Sequence, residues 1–272
     1  MKVQKKQPVR KPQKPKLKKL INETIRDFDK DCIHTFRLEI KKLKAAMLLI
    51  QTAKKSFNRK KKFREIRPFY KDLGAVREIQ IQQEQFQKPE NSKALKSSFR
   101  KKFKQLLDDT LLERELLTIQ NFDESVIKAV KKVKKQVEKA VKNLSPNDFK
   151  RYFKARLGKL KNTLGSLDFS EKKTHTLRIL IKEIKFNARF KKKVAEKALA
   201  KSEIDLPALE DLQKWLGDWH DNVVLKHKLV HLQDSLLLQN GENEALMQFK
   251  TSVEVETCFI KNNIKKALHM DY

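Results

Sequence analysis

Glycine and proline are scarce: 5 and 7 among 272 residues, with three of the prolines inside the first 15. A β-sandwich or barrel needs turn residues at many strand ends, so this composition excludes one and favours long helices. Cysteine is scarcer still. Cys32 and Cys258 lie far apart, each among apolar residues at helical spacing, which removes support for a disulfide framework or a thiolate metal cluster and fits a reducing compartment. The longest uninterrupted apolar run, Ala45 to Ile50, falls far short of the about 20 residues a membrane span requires, so no membrane insertion is expected. Acid is also in deficit. Against 64 Lys and Arg stand 34 Asp and Glu, a formal charge of +30, while 39% hydrophobic residues are enough for a core and argue against a wholly disordered chain.

Residues 1–16 carry seven positive charges and no acid, and they lack the apolar stretch of a secretory signal. They read as a disordered basic tail that adds weak attraction to a polyanion. Beyond it, Ile21, Ile25, Phe28, Cys32, Phe36, Ile40, Leu43, Met47 and Ile50 step by three or four, predicting one helix over 17–54. Further helices are expected over 60–87, with an interruption or restart at Pro68, and over 92–120 and 123–143. Ser145, Pro146 and Asp148 supply a cap, a first-position proline and a first-turn acid for a helix reaching Leu164. Three more are expected over 170–202, 207–239 and 243–268. Eight helices joined by short loops make an all-α bundle architecture.

The chain contains an internal repeat. His34-Thr-Phe-Arg37-Leu-Glu-Ile-Lys41-Lys-Leu-Lys44 aligns without gaps with His175-Thr-Leu-Arg178-Ile-Leu-Ile-Lys182-Glu-Ile-Lys185, an offset of 141 residues. Leu73-Gly74-Ala-Val-Arg77-Glu78 then matches Leu216-Gly217-Asp-Trp-His220-Asp221 at an offset of 143. Two related halves follow, about 17–144 and 145–268. At about 100° per residue, steps of three, four and three put His34, Arg37, Lys41 and Lys44 on one stripe, roughly 140° from the apolar face. His175, Arg178, Lys182, Lys185 and Arg189 form the same stripe in the second half. A chain with 36% charged residues places cations on any solvated face, and a single stripe would need no other account. Repetition without interleaved acids is different, because neighbouring like charges on a helix repel. Arg for bidentate contact, Lys as point charge and His as a titratable donor suit a polyanion whose binding strengthens as pH falls from about 8 to 6.

Other constellations carry less. His220, His227 and His231 could share one helix face and chelate a metal, but Lys226 and Lys228 would repel a dication and no general-base glutamate lies between the last two. Surface or core histidines are the simpler reading, and no metal or other cofactor is expected. No carboxylate pair such as Asp108-Asp109 or Asp218-Asp221 sits in a recognisable acid/base setting, and there is no glycine-rich phosphate loop. No catalytic residue is assigned. Trp215 and Trp219 read as core packing.

The paired His-x-x-Arg-x-x-x-Lys-x-x-Lys signature, each copy followed about 40 residues later by a Leu-Gly element, resembles the CHAD domain, the conserved histidine α-helical domain, over about residues 17–268. The resemblance implies two pseudo-symmetric four-helix bundles with a basic central surface that binds inorganic polyphosphate, without enzymatic activity. It adds Arg77 to the candidate site and implies a cytoplasmic protein associated with polyphosphate granules. The chain departs from the family pattern in having Lys at Lys41, Lys44, Lys182 and Lys185 where the family favours Arg, and Arg77-Glu78 where it favours Arg-Asp. The charge is kept throughout. His220 replaces an Asn of the second Leu-Gly element. The alternative reading is a nucleic-acid binder, RNA in particular, given the +30 charge and the basic tail. Single-strand binders interleave aromatics with cations so that bases stack, and these stripes carry none. A phosphohydrolase using the histidines is the third reading.

Overall fold

A computed structural model describes residues 17–87, 97–202, 206–235 and 240–267. The basic tail, residues 1–16, lies outside them. Every regular element among the described residues is a helix, eleven in all: α1 Leu17–Asp27, α2 Lys30–Ala53, α3 Arg59–Phe63, α4 Arg67–Gln87, α5 Ser97–Gln120, α6 Ser125–Lys142, α7 Pro146–Gly165, α8 Glu171–Ala188, α9 Lys192–Ala200, α10 Leu206–Ser235 and α11 Asn240–Ala267. The protein is all-α.

Two helices expected to be continuous are broken. The expected helix over 17–54 stops at Asp27, because Phe28 takes a left-handed backbone conformation with φ 44° and Asp29 starts a new helix. The Asp29 carboxylate accepts from the amides of Asp31 and Cys32, satisfying donors that a helix start otherwise leaves unpaired. Phe28 itself is buried, and its carbonyl accepts from the side chain of Gln80 in α4 at 2.9 Å. These contacts hold the non-glycine residue in a sparsely populated backbone region. The apolar register continues across the break, which is why the spacing of Phe28 and Cys32 gives no sign of it. Likewise the expected helix over 170–202 divides into α8 and α9 around Arg189–Lys191.

Other boundaries agree with the sequence. Pro68 sits in the first turn of α4, and Ser145 and Asp148 form a reciprocal capping box with Pro146 at the first position of α7.

The helix α2 lies at the centre, packed against α1, α4, α6, α7 and α8. Its buried residues Ile33, Phe36, Ile40, Leu43 and Met47 join one large apolar cluster, to which Leu177, Ile181 and Ile184 of α8 also belong. The two stripe-bearing helices are therefore pressed together by the core behind them. A buried polar clamp fixes the contact: Asn187 Nδ2 donates to the carbonyl of Ala45, 142 residues away, at 2.9 Å and to the Tyr152 hydroxyl at 2.7 Å. A smaller cluster joins α4 and α5 of the first half to α10 and α11 of the second through Phe86, Phe103, Leu225, Leu229 and Phe249. Buried side chains from both halves thus mix in both clusters.

Candidate functional site

On α2, Arg37 reaches α4. Its Nη1 donates to the carbonyl of Tyr70 at 2.9 Å, and the guanidinium lies 4.7 Å from the centre of the Tyr70 ring. One helical turn past Tyr70 stands Gly74, where an added Cβ would come within 2.8 Å of Arg37 Nη1. The Leu-Gly element has a physical reason: the missing side chain is the space that the arginine occupies. The second half repeats this more loosely, a Cβ at Gly217 lying 3.8 Å from Arg178 Nη2.

The arginines bring the lysines with them. Lys41 has Arg37 and Lys44 of its own helix and Arg178 of α8 as cationic neighbours, while Lys182 has Arg178, Lys41 and Arg37. Four cations from two helices therefore form one cluster. Burial first, and repulsion from these neighbours second, push the Lys41 amine down to about 8 and the Lys182 amine down to about 7. Burial also lowers both guanidinium groups, which stay charged. The Nε of Arg178 is buried without a hydrogen-bond acceptor in the protein.

The remaining expected residues occupy the margins. His34 and His175 are exposed at the ends of the stripes, each lowered from the ordinary histidine value by partial desolvation and by neighbouring cations, Arg77 and Lys41 for His34, Arg178 and Lys182 for His175. Both imidazoles therefore give up their protons more readily than an ordinary histidine. The Lys44 amine lies over the rings of Phe63 at 5.3 Å and Tyr70 at 5.1 Å, with Arg59 and Arg67 nearby. Arg77 borders Arg37 and His34, and it is also paired with Glu84 at 3.1 Å. Lys185 is paired with Glu210 of α10 at 3.2 Å. Arg189 departs from the stripe because α8 ends at Ala188: it lies over the Phe190 ring at 4.9 Å, close to Glu39. There it lines a separate cavity of about 300 Å³ with Leu20, Leu43 and Val137.

Three features of the cluster were not assigned to it from the sequence. The first is Tyr70, which with Phe63 places aromatic rings beside cations, although the stripes themselves carry none. Tyr70 stands one helical turn before Gly74 on the same face of α4, and no sequence signal ties it to Arg37 of α2. The second is a carboxylate inside the cluster: Asp221 of α10 interacts with Arg178, Lys182 and Arg77, and with Lys41. Burial raises its pKa despite these partners. The third is His220, whose ring lies 5.9 Å from that of His175 and whose pKa burial and the neighbouring cations lower to about 4. Of the other histidines considered for a metal, His227 is exposed and paired with Glu171 at 3.1 Å, while the side chain of His231 lies outside the described residues. Among the described residues no three potential ligands converge, and no helix is long and apolar enough to cross a membrane.

The family model of the CHAD domain matches residues 15–230. Among solved structures, the crystal structure of the CHAD domain from the plant Ricinus communis superposes with a TM-score of 0.68 at 15% identity, covering 94% of this chain and 87% of that one. At that identity the likeness shows the fold alone. No curated protein matches the chain.

Proposed function

This chain belongs to the CHAD domain family, and from that premise and the cation cluster we propose that it binds inorganic polyphosphate without catalysing a reaction on it. Both repeats contact one ligand chain. The observation that carries the reading is the convergence of Arg37 and Lys41 with Arg178 and Lys182, close enough and dry enough that two amines are pushed to about 8 and about 7. Such an arrangement costs stability in the free protein. A linear polyanion relieves it by placing oxygens between the cations, with guanidinium groups for bidentate contact and amines as point charges. The unaccepted Nε of Arg178 gives one donor ready for an anion. The helix face from His34 to Lys44 is about 15 Å long, taking about 1.5 Å per residue, so an extended chain suits it better than a compact anion.

Nucleic acid is the second reading. The rings beside the cluster bear on it, because Tyr70 is engaged by Arg37 and Lys44 and Phe63 by Lys44, which leaves those faces to cations rather than bases. The discriminating experiment binds labelled polyphosphate at about 150 mM salt and challenges it with tRNA, duplex DNA and ATP. Polyphosphate is expected to resist displacement, per phosphate, by all three; equal displacement by tRNA would transfer the site to RNA. Neutralising Arg37, Lys41 and Lys44 together is expected to weaken binding about as much as neutralising Arg178, Lys182 and Lys185. The two triples combined should be non-additive, because both contact one ligand.

A further inference from the structure

Among the cations of the cluster stands one acid of the second Leu-Gly element. Asp221 lies one helical turn beyond Gly217, the residue whose open side faces Arg178, so the same face of α10 that makes room for the guanidinium also carries the carboxylate. The adjacent His220 meets His175 of α8, which fixes this part of α10 against the second stripe. The four cationic neighbours of Asp221 come from three helices: Arg178 and Lys182 on α8, Lys41 on α2 and Arg77 on α4. The first repeat has Glu78 at the matching position; it neighbours Arg37 but is exposed, and Arg77 beside it is paired with Glu84. The repeat therefore duplicates the acid in sequence, while only the second copy is half-buried among cations of both halves.

We propose that Asp221 is the resident counter-anion of the cluster: it interacts with the cations of both repeats when no ligand is bound, and it selects against anions too short to engage several of them at once. The proposal rests on the reading of the cluster as a polyphosphate site. An incoming phosphate meets the same guanidinium and amine groups that Asp221 serves and is repelled by its charge. Pyrophosphate, touching one or two cations, feels that repulsion with little to offset it. A long chain offsets it through many linked contacts, the second and later ones made at high effective concentration. Asp218, which neighbours both Arg178 and Asp221, adds to the same field from one turn earlier. The carboxylate is thus a specificity-determining group rather than a stabilising one, consistent with its dehydrated setting.

The test compares the full chain with Asp221→Asn, Asp221→Glu and Glu78→Gln, measuring affinity for pyrophosphate and for long-chain polyphosphate at pH 6.5 and fixed salt. Asp221→Asn is expected to tighten both, pyrophosphate by on the order of fivefold to tenfold, and to narrow the preference for the long chain. Asp221→Glu, which keeps the charge, should stay near wild type, and Glu78→Gln should change affinity less than Asp221→Asn does. A ligand-free arm follows the Lys41 and Lys182 amines by NMR titration: without the counter-anion both should lose their protons at lower pH. Unchanged or weaker pyrophosphate binding in Asp221→Asn, or amines that titrate as in wild type, would overturn the proposal. Should the wild-type chain bind no polyphosphate while the amines still shift in Asp221→Asn, the ligand assignment fails and the counter-anion role stands.

Discussion

A partly dehydrated ammonium near two guanidinium groups gives up its proton easily, and burial and these neighbours push Lys182 and Lys41 down to about 7 and about 8. The sequence alone put the pH response on His34 and His175; burial and cations lower both, and they bring Lys41 and Lys182 down into the neutral range as well. The sign follows from proton counting. Between about pH 7 and the ordinary lysine value of about 10.4, the unfolded chain holds more protons on these amines than the folded one does, so ligand-free stability rises with pH. Affinity for polyphosphate falls over the same window, because the bound state needs the charge. Urea unfolding and calorimetric titration at pH 6, 7, 8 and 9 should show these opposite trends, and Lys182→Gln should flatten both. Trends of the same sign would remove the lysines from the site. The two glycines offer a second prediction at this scale. Gly217→Ala meets nothing closer than 3.8 Å and should stabilise α10 by about 0.5–1 kcal/mol through helix propensity. Gly74→Ala would stand 2.8 Å from Arg37 Nη1, forcing the guanidinium off the Tyr70 carbonyl. The fold should survive, since the end of a flexible side chain can move, while polyphosphate affinity drops severalfold.

Helix starts differ in how openly the sequence announces them. At Ser145-Pro146-Asp148 a cap, a first-position proline and an acid coincide, and the structure joins the serine and the acid in a reciprocal capping box. At Asp29 a single acid stands inside an unbroken apolar rhythm, and no glycine or proline marks the break. The rhythm reports which face meets the core; it does not report whether the backbone between two buried residues is helical. Removing the cap tests its weight. Asp29→Ala should cost about 1 kcal/mol, within the usual range for a cap, and lower the melting temperature of a chain this size by about 2–4 °C. Because the cap sets the start of α2, and His34 lies little more than a turn inside it, loss of polyphosphate affinity should accompany the loss of stability. A variant with unchanged melting would mean that core packing alone fixes the start of α2.

Over the whole molecule the formal charge of +30 sets the energetic background. A ligand that binds only the native state raises stability by RT ln(1 + [L]/Kd), about 2.7 kcal/mol at a hundredfold excess over Kd. Polyphosphate should therefore raise the melting temperature, and the rise should shrink as salt increases, because bound cations displace counterions from the chain as they do from nucleic acid. Pyrophosphate at equal phosphate concentration should stabilise much less. A salt-independent shift, or one equally large with pyrophosphate, would replace the extended ligand with a compact anion pocket. Deleting residues 1–16 should matter less than neutralising either stripe.

What the sequence determined by itself is periodic or repeated: the all-α class from apolar spacing and missing turn residues, the two stripes from their matched copies, and the paired Leu-Gly elements from their order. Such features survive in one dimension because each depends on residues within a few turns of one another. Tertiary structure alone decided which stripe residues meet. Arg37, Lys41, Arg178 and Lys182 converge because the core presses α2 against α8, whereas Arg189 is lost to the cluster where α8 ends and Lys185 turns to Glu210. It also decided that Gly74 makes room for Arg37 and that Asp221 is half-buried among cations of both stripes, while Glu78 stays exposed beside Arg37. Contacts across 33 to 142 residues, such as Arg37 to Tyr70 and Asn187 to Ala45, follow from how helices pack, and helical spacing carries no record of the partner.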